Sequence, residues 1–249
     1  MHKLLATNAF FKNLQQLGTG FLHLLYPEIC MHCGSEELTA TKVLCEACEK
    51  NLPYCSFLSI ENNVIEKIFW GRAPIDQAGA SLFFTKESIV QKLIFALKYQ
   101  HQKKVGRLLG NIMGKEMLES QRFKNIDCMI PLPLNKNKER KRGYNQALIL
   151  CQGIQEKIPH IPILPVLLKQ KNVKSQTQQN RIERNDLKEA FFSIADNVDL
   201  VQKNILLVDD VITTGATLEA ASLYLWKVAQ PKSISCLLYT SDAADDTPC

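Results

Sequence analysis

Long apolar runs are missing from this 249-residue chain, and their absence removes the first class of function. No window is uniformly apolar over the length that crosses a bilayer, because Lys12, Asn13, Gln15 and Gln16 break up the apolar residues near the N-terminus. The same segment lacks the continuous apolar core and small-residue cleavage site of a secretion signal, so the expected setting is soluble and cytoplasmic. A Gly-rich Walker-A loop is also absent, which argues against an ATPase. No internal repeat or low-complexity segment is found, which removes repeat architectures. A large excess of one sign of charge is missing too: a formal net charge of +5 suits an anionic small molecule and does not by itself indicate nucleic acid. Aromatic residues do not interleave with the basic runs, where Tyr144 stands nearly alone, so the sequence offers no evident stacking platform for single strands. What is present is a 46% apolar content, enough at this length for a sizeable core.

The most informative stretch runs from Ile205 to Thr217, ILLVDDVITTGAT. Ile205, Leu206, Leu207 and Val208 form a continuous apolar run that suits a parallel strand buried on both faces. Asp209 and Asp210 follow at its carboxyl end, where open α/β sheets collect their ligands. Ribose hydroxyls or a hydrated Mg²⁺ are natural partners for such a pair. Thr213, Thr214, Gly215, Ala216 and Thr217 then supply hydroxyls and backbone N–H groups where a helix begins, a place that favours phosphate. An acidic cap on a buried strand, a receiver-type Mg²⁺ pocket or a Walker-B end would share the acid pair, but not the Thr-Thr-Gly-Ala-Thr continuation. The whole stretch resembles the PRPP-binding motif of type I phosphoribosyltransferases. That resemblance implies that Asp209 and Asp210 hold the ribose 2′- and 3′-hydroxyls, directly or beside Mg²⁺, as the catalytic pair. It also implies that Thr213 to Thr217 wrap the 5′-phosphate.

Nine cysteines are present, and four of them fall as Cys30-x-x-Cys33 and Cys45-x-x-Cys48. Each Cys-x-x-Cys turn delivers two thiolates from one bend, so the pairs read as a structural tetrahedral Zn²⁺ site, with Gly34 easing the first turn. Two disulfides or a redox pair are the alternatives, and no βαβ pattern surrounds the cysteines to favour the latter. A segment this small buries little core, so bound metal is expected to supply most of its folding energy, on the order of 10 kcal/mol. His32 and Cys55 are expected to be bystanders, and Cys128 and Cys151 buried small hydrophobes.

Between these motifs the pattern alternates strand and helix, which implies an α/β fold with a parallel sheet flanked by helices. Strands are expected over residues 75–84, 126–134 and 161–168, and helices over 87–99 and about 145–157, with a further helix carrying Val105, Leu108, Leu109, Ile112, Met113 and Met117 on one face. Two basic stretches read as loops. The first, Pro131 to Gln146, carries Lys136, Lys138, Arg140, Lys141 and Arg142 before Gly143, and its backbone N–H groups and Arg142 are candidates to hold pyrophosphate. The second, Lys169 to Asn185, is long enough for a lid, with Lys171, Lys174, Gln176, Arg181 and Arg184 within reach of phosphate oxygens.

The Cys₄ pair after Leu25-Tyr26-Pro27, the segment IPLPL, Arg142-Gly143-Tyr144-Asn145-Gln146, Ser175-Gln176-Thr177, Arg184-Asn185 and the acidic motif together resemble the ComF/GntX-like phosphoribosyltransferase family. The resemblance implies a type I phosphoribosyltransferase fold behind a small zinc module, and transfer of the 5-phosphoribosyl group from Mg²⁺-bound PRPP to an unidentified acceptor. It also implies a link to DNA uptake in competent bacteria, with single-stranded DNA or DNA-uptake proteins as partners. A non-catalytic competence factor that binds PRPP or single-stranded DNA is the other reading. The expected division is 1–60 for an N-terminal helix and zinc module, 70–235 for the phosphoribosyltransferase domain, and 236–249 for a tail. That tail, CLLYTSDAADDTPC, has three Asp and no Lys or Arg, and resembles an in-frame translation of a sequencing-library adapter.

Overall fold

The computed structural model describes residues 29–36, 38, 42–170, 191–196, 198–212 and 214–241. The chain divides into two compact units, residues 1–51 and 52–249. In the first unit the backbone N–H of Gly34 donates to Cys30 O at 2.9 Å, closing the first cysteine turn, and Gly34 takes φ +75°, a conformation that glycine adopts without steric cost. The N–H of Met31 donates to Val43 O at 3.1 Å, which joins the two turns. A short helix, α1 (Glu46–Lys50), begins directly after Cys45.

The second unit starts earlier than the sequence pattern suggests. Residues 52–58 belong to it because they hydrogen-bond to strand β1 (Gln77–Phe84): Cys55 N donates to Ser81 O and Phe83 N to Pro53 O. Helix α2 (Val64–Phe69) follows, capped by Asn63, whose side-chain oxygen accepts from the N–H groups of Ile65 and Glu66. Helix α3 (Ile89–Tyr99) is capped by Ser88 and buries Val90, Leu93, Ile94 and Leu97, as its 3.6-residue pattern predicts. Next come α4 (Lys103–Glu119), β2 (Cys128–Pro131), α5 (Lys136–Arg142), α6 (Gln146–Lys157), β3 (Leu167–Lys169), β4 (Phe192–Ile194), β5 (Asn204–Ile212), α7 (Ala216–Ala229) and β6 (Ser233–Ser241).

Four strands form a sheet in the order β1-β6-β5-β2, and every neighbouring pair in it is parallel. Ile205 to Val208 are fully buried, as expected for a strand covered on both faces. On one face Ile205, Leu207, Ile234 and Leu238 pack with Phe69 of α2 and Leu218 and Leu225 of α7. Helices α4 and α6 pack very closely on each other: a Cβ on Gly110 would lie 2.2 Å from Leu150 O, and one on Gly153 would lie 2.4 Å from Arg107 O. Only hydrogen at both positions permits that approach. Strands β3 and β4 pair antiparallel as a separate small sheet.

Three elements differ from the sequence reading. The expected basic loop contains α5, a helix with no buried residue, begun by Asn135, whose side chain accepts from Asn137 N–H, and ended by Gly143 in the left-handed conformation. The expected strand over 161–168 is reduced to one bridge between Ile163 and Met129 and to the start of β3. The boundary expected at Ser235 falls inside β6, where Cys236 to Tyr239 are fully buried and the Tyr239 hydroxyl donates to Leu109 O at 2.7 Å. The apolar half of the expected tail therefore fills a central strand position, between β1 and β5, whereas residues 242–249 lie outside the described residues. Among the described residues, no helix is long and apolar enough to cross a membrane.

Candidate functional site

The acid pair is presented by an irregularity in β5. Val208 pairs with Leu237 and Val211 with Tyr239, so β5 takes three steps where β6 takes two, and the extra residue falls at Asp209 and Asp210. A bulge of this kind re-aims side chains out of the alternating pattern, and here both carboxylates line one cleft of about 220 Å³. Asp210 N–H donates to Asp209 Oδ1 at 2.8 Å, and Val211 N–H to Asp210 Oδ1 at 2.7 Å. The Lys98 ammonium, from the last turn of α3, lies 2.9 Å from the same Asp210 oxygen. Burial and the adjacent Asp210 carboxylate push Asp209 up to about 7, while the Asp210 N–H, Lys98 and Lys169 pull the other way.

Beyond the acids, Gly215 takes φ +72° and stands at the N-terminus of α7; it has no side chain to cap the helix, and the Thr214 hydroxyl accepts from Ala216 N–H at 3.4 Å. The free N–H groups of a helix start, with its partial positive charge, suit a phosphate. A cavity of about 50 Å³ lies there, lined by Asp209, Val211, Ile212 and residues 214–218. Gly215 is fixed by packing as well as by φ, since a Cβ there would meet Phe69 Cε1 at 2.9 Å. Arg72, just after α2, forms an ion pair with Glu219 in the first turn of α7.

The 220 Å³ cleft is also lined by cations, Lys138, Arg142 and Lys169, together with Asn145 and Gln146. Arg142 lies over the Tyr99 ring at 5.4 Å, and its carbonyl oxygen is 2.8 Å from His101 Nδ1. The Tyr144 hydroxyl donates to Leu97 O, and the Asn145 amide donates to Leu132 O at 2.8 Å, which ties the Pro-Leu-Pro segment to the start of α6. Gln146 is 2% exposed, and its Nε2 has no partner among the described residues. A larger cavity of about 530 Å³ adjoins, sharing Pro133, Leu134, Asn145 and Lys169 with the cleft.

Of the residues expected at the site, Asp209, Asp210, Thr217 and Arg142 come together in the cleft, and Thr214, Gly215 and Ala216 line the smaller cavity beside it. Gly143 does not line either, and its N–H is already donated to Glu139 O at 2.7 Å to close α5. Thr213, Lys171, Lys174, Gln176, Arg181 and Arg184 lie outside the described residues. Lys98 and Lys169 were not expected at the acid pair. Lys98 reads as one solvated cation on an amphipathic helix, and only the packing of α3 brings it to β5.

In the first unit, the sulfurs of Cys30, Cys33, Cys45 and Cys48 lie within 4.8 Å of one another. Tetrahedral Zn–S bonds of about 2.3 Å place sulfurs roughly 3.8 Å apart, so this donor set fits a metal such as zinc with little adjustment. Burial pushes the Cys30 thiol up, but hydrogen bonds from the backbone of Cys33, Cys45 and His32 outweigh it and bring it down to about 6, toward the thiolate that binds metal. Cys55 is outside the cluster and donates to Ala80 O, and Cys128 and Cys151 are buried.

No protein-family model matches the chain. Competence protein F of Haemophilus influenzae is 29% identical over 218 residues, which cover 80% of this chain and 91% of that protein. Competence protein ComFC of Bacillus subtilis is 34% identical over 107 residues, 43% of this chain and 41% of that one. DNA utilization protein YhgH of Escherichia coli O157:H7 is 28% identical over 153 residues, 59% of this chain and 66% of its own length. Among solved structures, hypoxanthine-guanine phosphoribosyl transferase of L. donovani aligns with a TM-score of 0.36 at 10% identity, over 55% of this chain and 67% of that one. In sequence, the chain is thus a relative of proteins named for competence and for DNA utilization.

Proposed function

We propose that the chain is a PRPP-binding protein of phosphoribosyltransferase type, transferring the 5-phosphoribosyl group to a nucleophilic acceptor with release of pyrophosphate and serving DNA uptake in the cytoplasm. The observation that carries this reading is that Asp209 and Thr217 line both the cleft and the small cavity at the start of α7, so a sugar held by the acids can place its 5′-phosphate at that helix start. Its diphosphate would meet Lys138, Arg142 and Lys169, which line the same cleft. The names of the relatives support the link to DNA uptake.

In that reaction the acceptor's lone pair forms a bond to C1 of the sugar, the bond from C1 to the diphosphate oxygen breaks, and the acceptor's proton leaves to solvent. The residues act by positioning and by charge: the acids hold the sugar hydroxyls, the helix start holds the phosphate, and the cations take the growing charge of the leaving group. Magnesium, which suits carboxylate and phosphate oxygens, would supply charge neutralisation at the diphosphate when bound with PRPP. Zinc at the four cysteines would serve the fold of the first unit and not the chemistry. Pyrophosphate release from PRPP and Mg²⁺, followed with ammonia, nucleobases and single-stranded DNA as trial acceptors, tests the proposal. Release that needs one acceptor and is lost in Asp210→Asn supports transfer; PRPP binding without release under any acceptor counts against it.

One observation favours a second reading, a non-catalytic factor that binds PRPP or single-stranded DNA. Tyr144 is buried, but Phe95 and Tyr99 are 52% and 61% exposed, with ring centroids 5.0 Å apart and Arg142 over Tyr99. The fold thus sets two exposed aromatic rings beside Arg142 at the end of the basic helix α5, a pairing absent from the linear sequence and of a kind that can stack bases. Affinity for a single strand that falls steeply with salt and is lost in Tyr99→Ala would support it.

A further inference from the structure

Lys98 stands outside the strand, acid pair and turn that make the site recognisable, yet it touches the acid pair directly. Its Nζ lies 2.9 Å from Asp210 Oδ1, with side chains 22% and 13% exposed, so the pair is sheltered and escapes the screening that makes surface ion pairs weak. Val211 N–H also bonds to Oδ1, and among the described residues no donor is bonded to Oδ2, which leaves that oxygen for a ligand. Without the ammonium, two adjacent carboxylates would face each other in a partly buried cleft, and Asp210 would lose the contact that fixes its rotamer.

The end of α3 also reaches Arg142. The Leu97 carbonyl accepts from Tyr144, Tyr99 stacks under Arg142, and His101 meets the Arg142 carbonyl. The end of α3 and the residues just after it therefore contact both the acids and the segment that carries Arg142.

We propose that Lys98 is a positioning residue of this site, holding the Asp210 carboxylate oriented for the hydroxyls of a phosphorylated pentose. The role rests on the pentose-phosphate reading of the cleft. It acts through Asp210, so it should affect ligands with and without a diphosphate alike.

The test is calorimetric titration of PRPP and of ribose 5-phosphate, each with Mg²⁺, into the full chain and into Lys98→Met, Lys98→Arg, Asp210→Asn and Lys98→Met/Asp210→Asn. Lys98→Met is expected to weaken both ligands about tenfold, the range for losing a charged hydrogen-bond partner, with Lys98→Arg recovering most of the loss. The double variant should bind no more weakly than Asp210→Asn alone, because a residue acting through another loses its effect when that partner is gone. Wild-type affinity in Lys98→Met, a loss confined to PRPP, or additive losses in the double variant would each overturn the role. If Lys98→Met fails to fold, Lys98→Arg decides in its place: strong binding by Lys98→Arg supports the role, and loss of binding with an unchanged melting temperature overturns it. Absence of binding of either sugar by the wild-type chain would instead overturn the reading of the cleft, and this role with it.

Discussion

Asp209 is the residue whose state sets how the site behaves with pH. Burial and Asp210 push its carboxyl up to about 7, and a carboxyl must be ionised to accept two hydroxyl hydrogen bonds freely. PRPP affinity is therefore expected to rise between pH 6 and pH 8, by about fivefold to tenfold, and to level off above. Titrations at three pH values check this, and affinity that falls over that range would contradict it. Glu116 on α4 presents a second case, away from the site. Burial pushes it up to about 7, opposed by Ser81, so its neutral form is the one the fold prefers. A raised carboxyl contributes stability that is present below the unfolded value and is lost as pH climbs to the folded one. Glu116→Gln should thus gain on wild type by about 1–2 kcal/mol between pH 5 and pH 8, allowing for partial exposure, and thermal melts would show it. At this scale the acid pair and the Thr/Gly turn were legible because they are contiguous in sequence. Lys98 and Lys169 were not, because their link to Asp209 and Asp210 is made only by folding.

At the scale of elements, the close crossing of α4 and α6 is the most sensitive to a small change. Gly110→Ala would drive a methyl group into the Leu150 carbonyl, 2.2 Å away, and should cost about 1–3 kcal/mol by forcing the helices apart. Chemical denaturation would measure that loss, and a neutral result would mean that the helices separate without strain. The amphipathic helix α3 was legible from its apolar stripe, and β5 from its four consecutive apolar residues. Helix α5 was not, because it buries nothing: its seven residues carry no apolar stripe to read, and its start and end rest on the caps Asn135 and Gly143. The bulge in β5 was equally invisible, since it depends on register against β6. β6 itself shows the opposite error, in which an unusual composition hid an apolar run, Cys236 to Tyr239, that the sheet buries completely.

For the molecule as a whole, the two units answer to different forces. The unit of residues 52–249 has a parallel sheet covered on both faces, whereas in the described part of residues 1–51 the four cysteines are gathered at one point. Metal removal should therefore unfold the first unit while leaving a cooperative melt of the second, with about one equivalent of zinc released per chain. Metal analysis beside calorimetric melts would check both, and a chelator without effect on either would contradict the zinc assignment. The parallel α/β class and the four-cysteine cluster were legible in the sequence. Where residues 52–58 attach was not, because that depends on their hydrogen bonds to β1.

The central claim is that Asp209 and Asp210 form a pentose-phosphate site. It is tested most directly by calorimetric titration of PRPP with Mg²⁺ into the zinc-loaded chain and into Asp209→Asn/Asp210→Asn. Saturable binding by the wild type, weakened by about 1–3 kcal/mol or more in the variant, is the predicted result. Equal affinity in the two proteins, or no binding by a folded wild type, would contradict it.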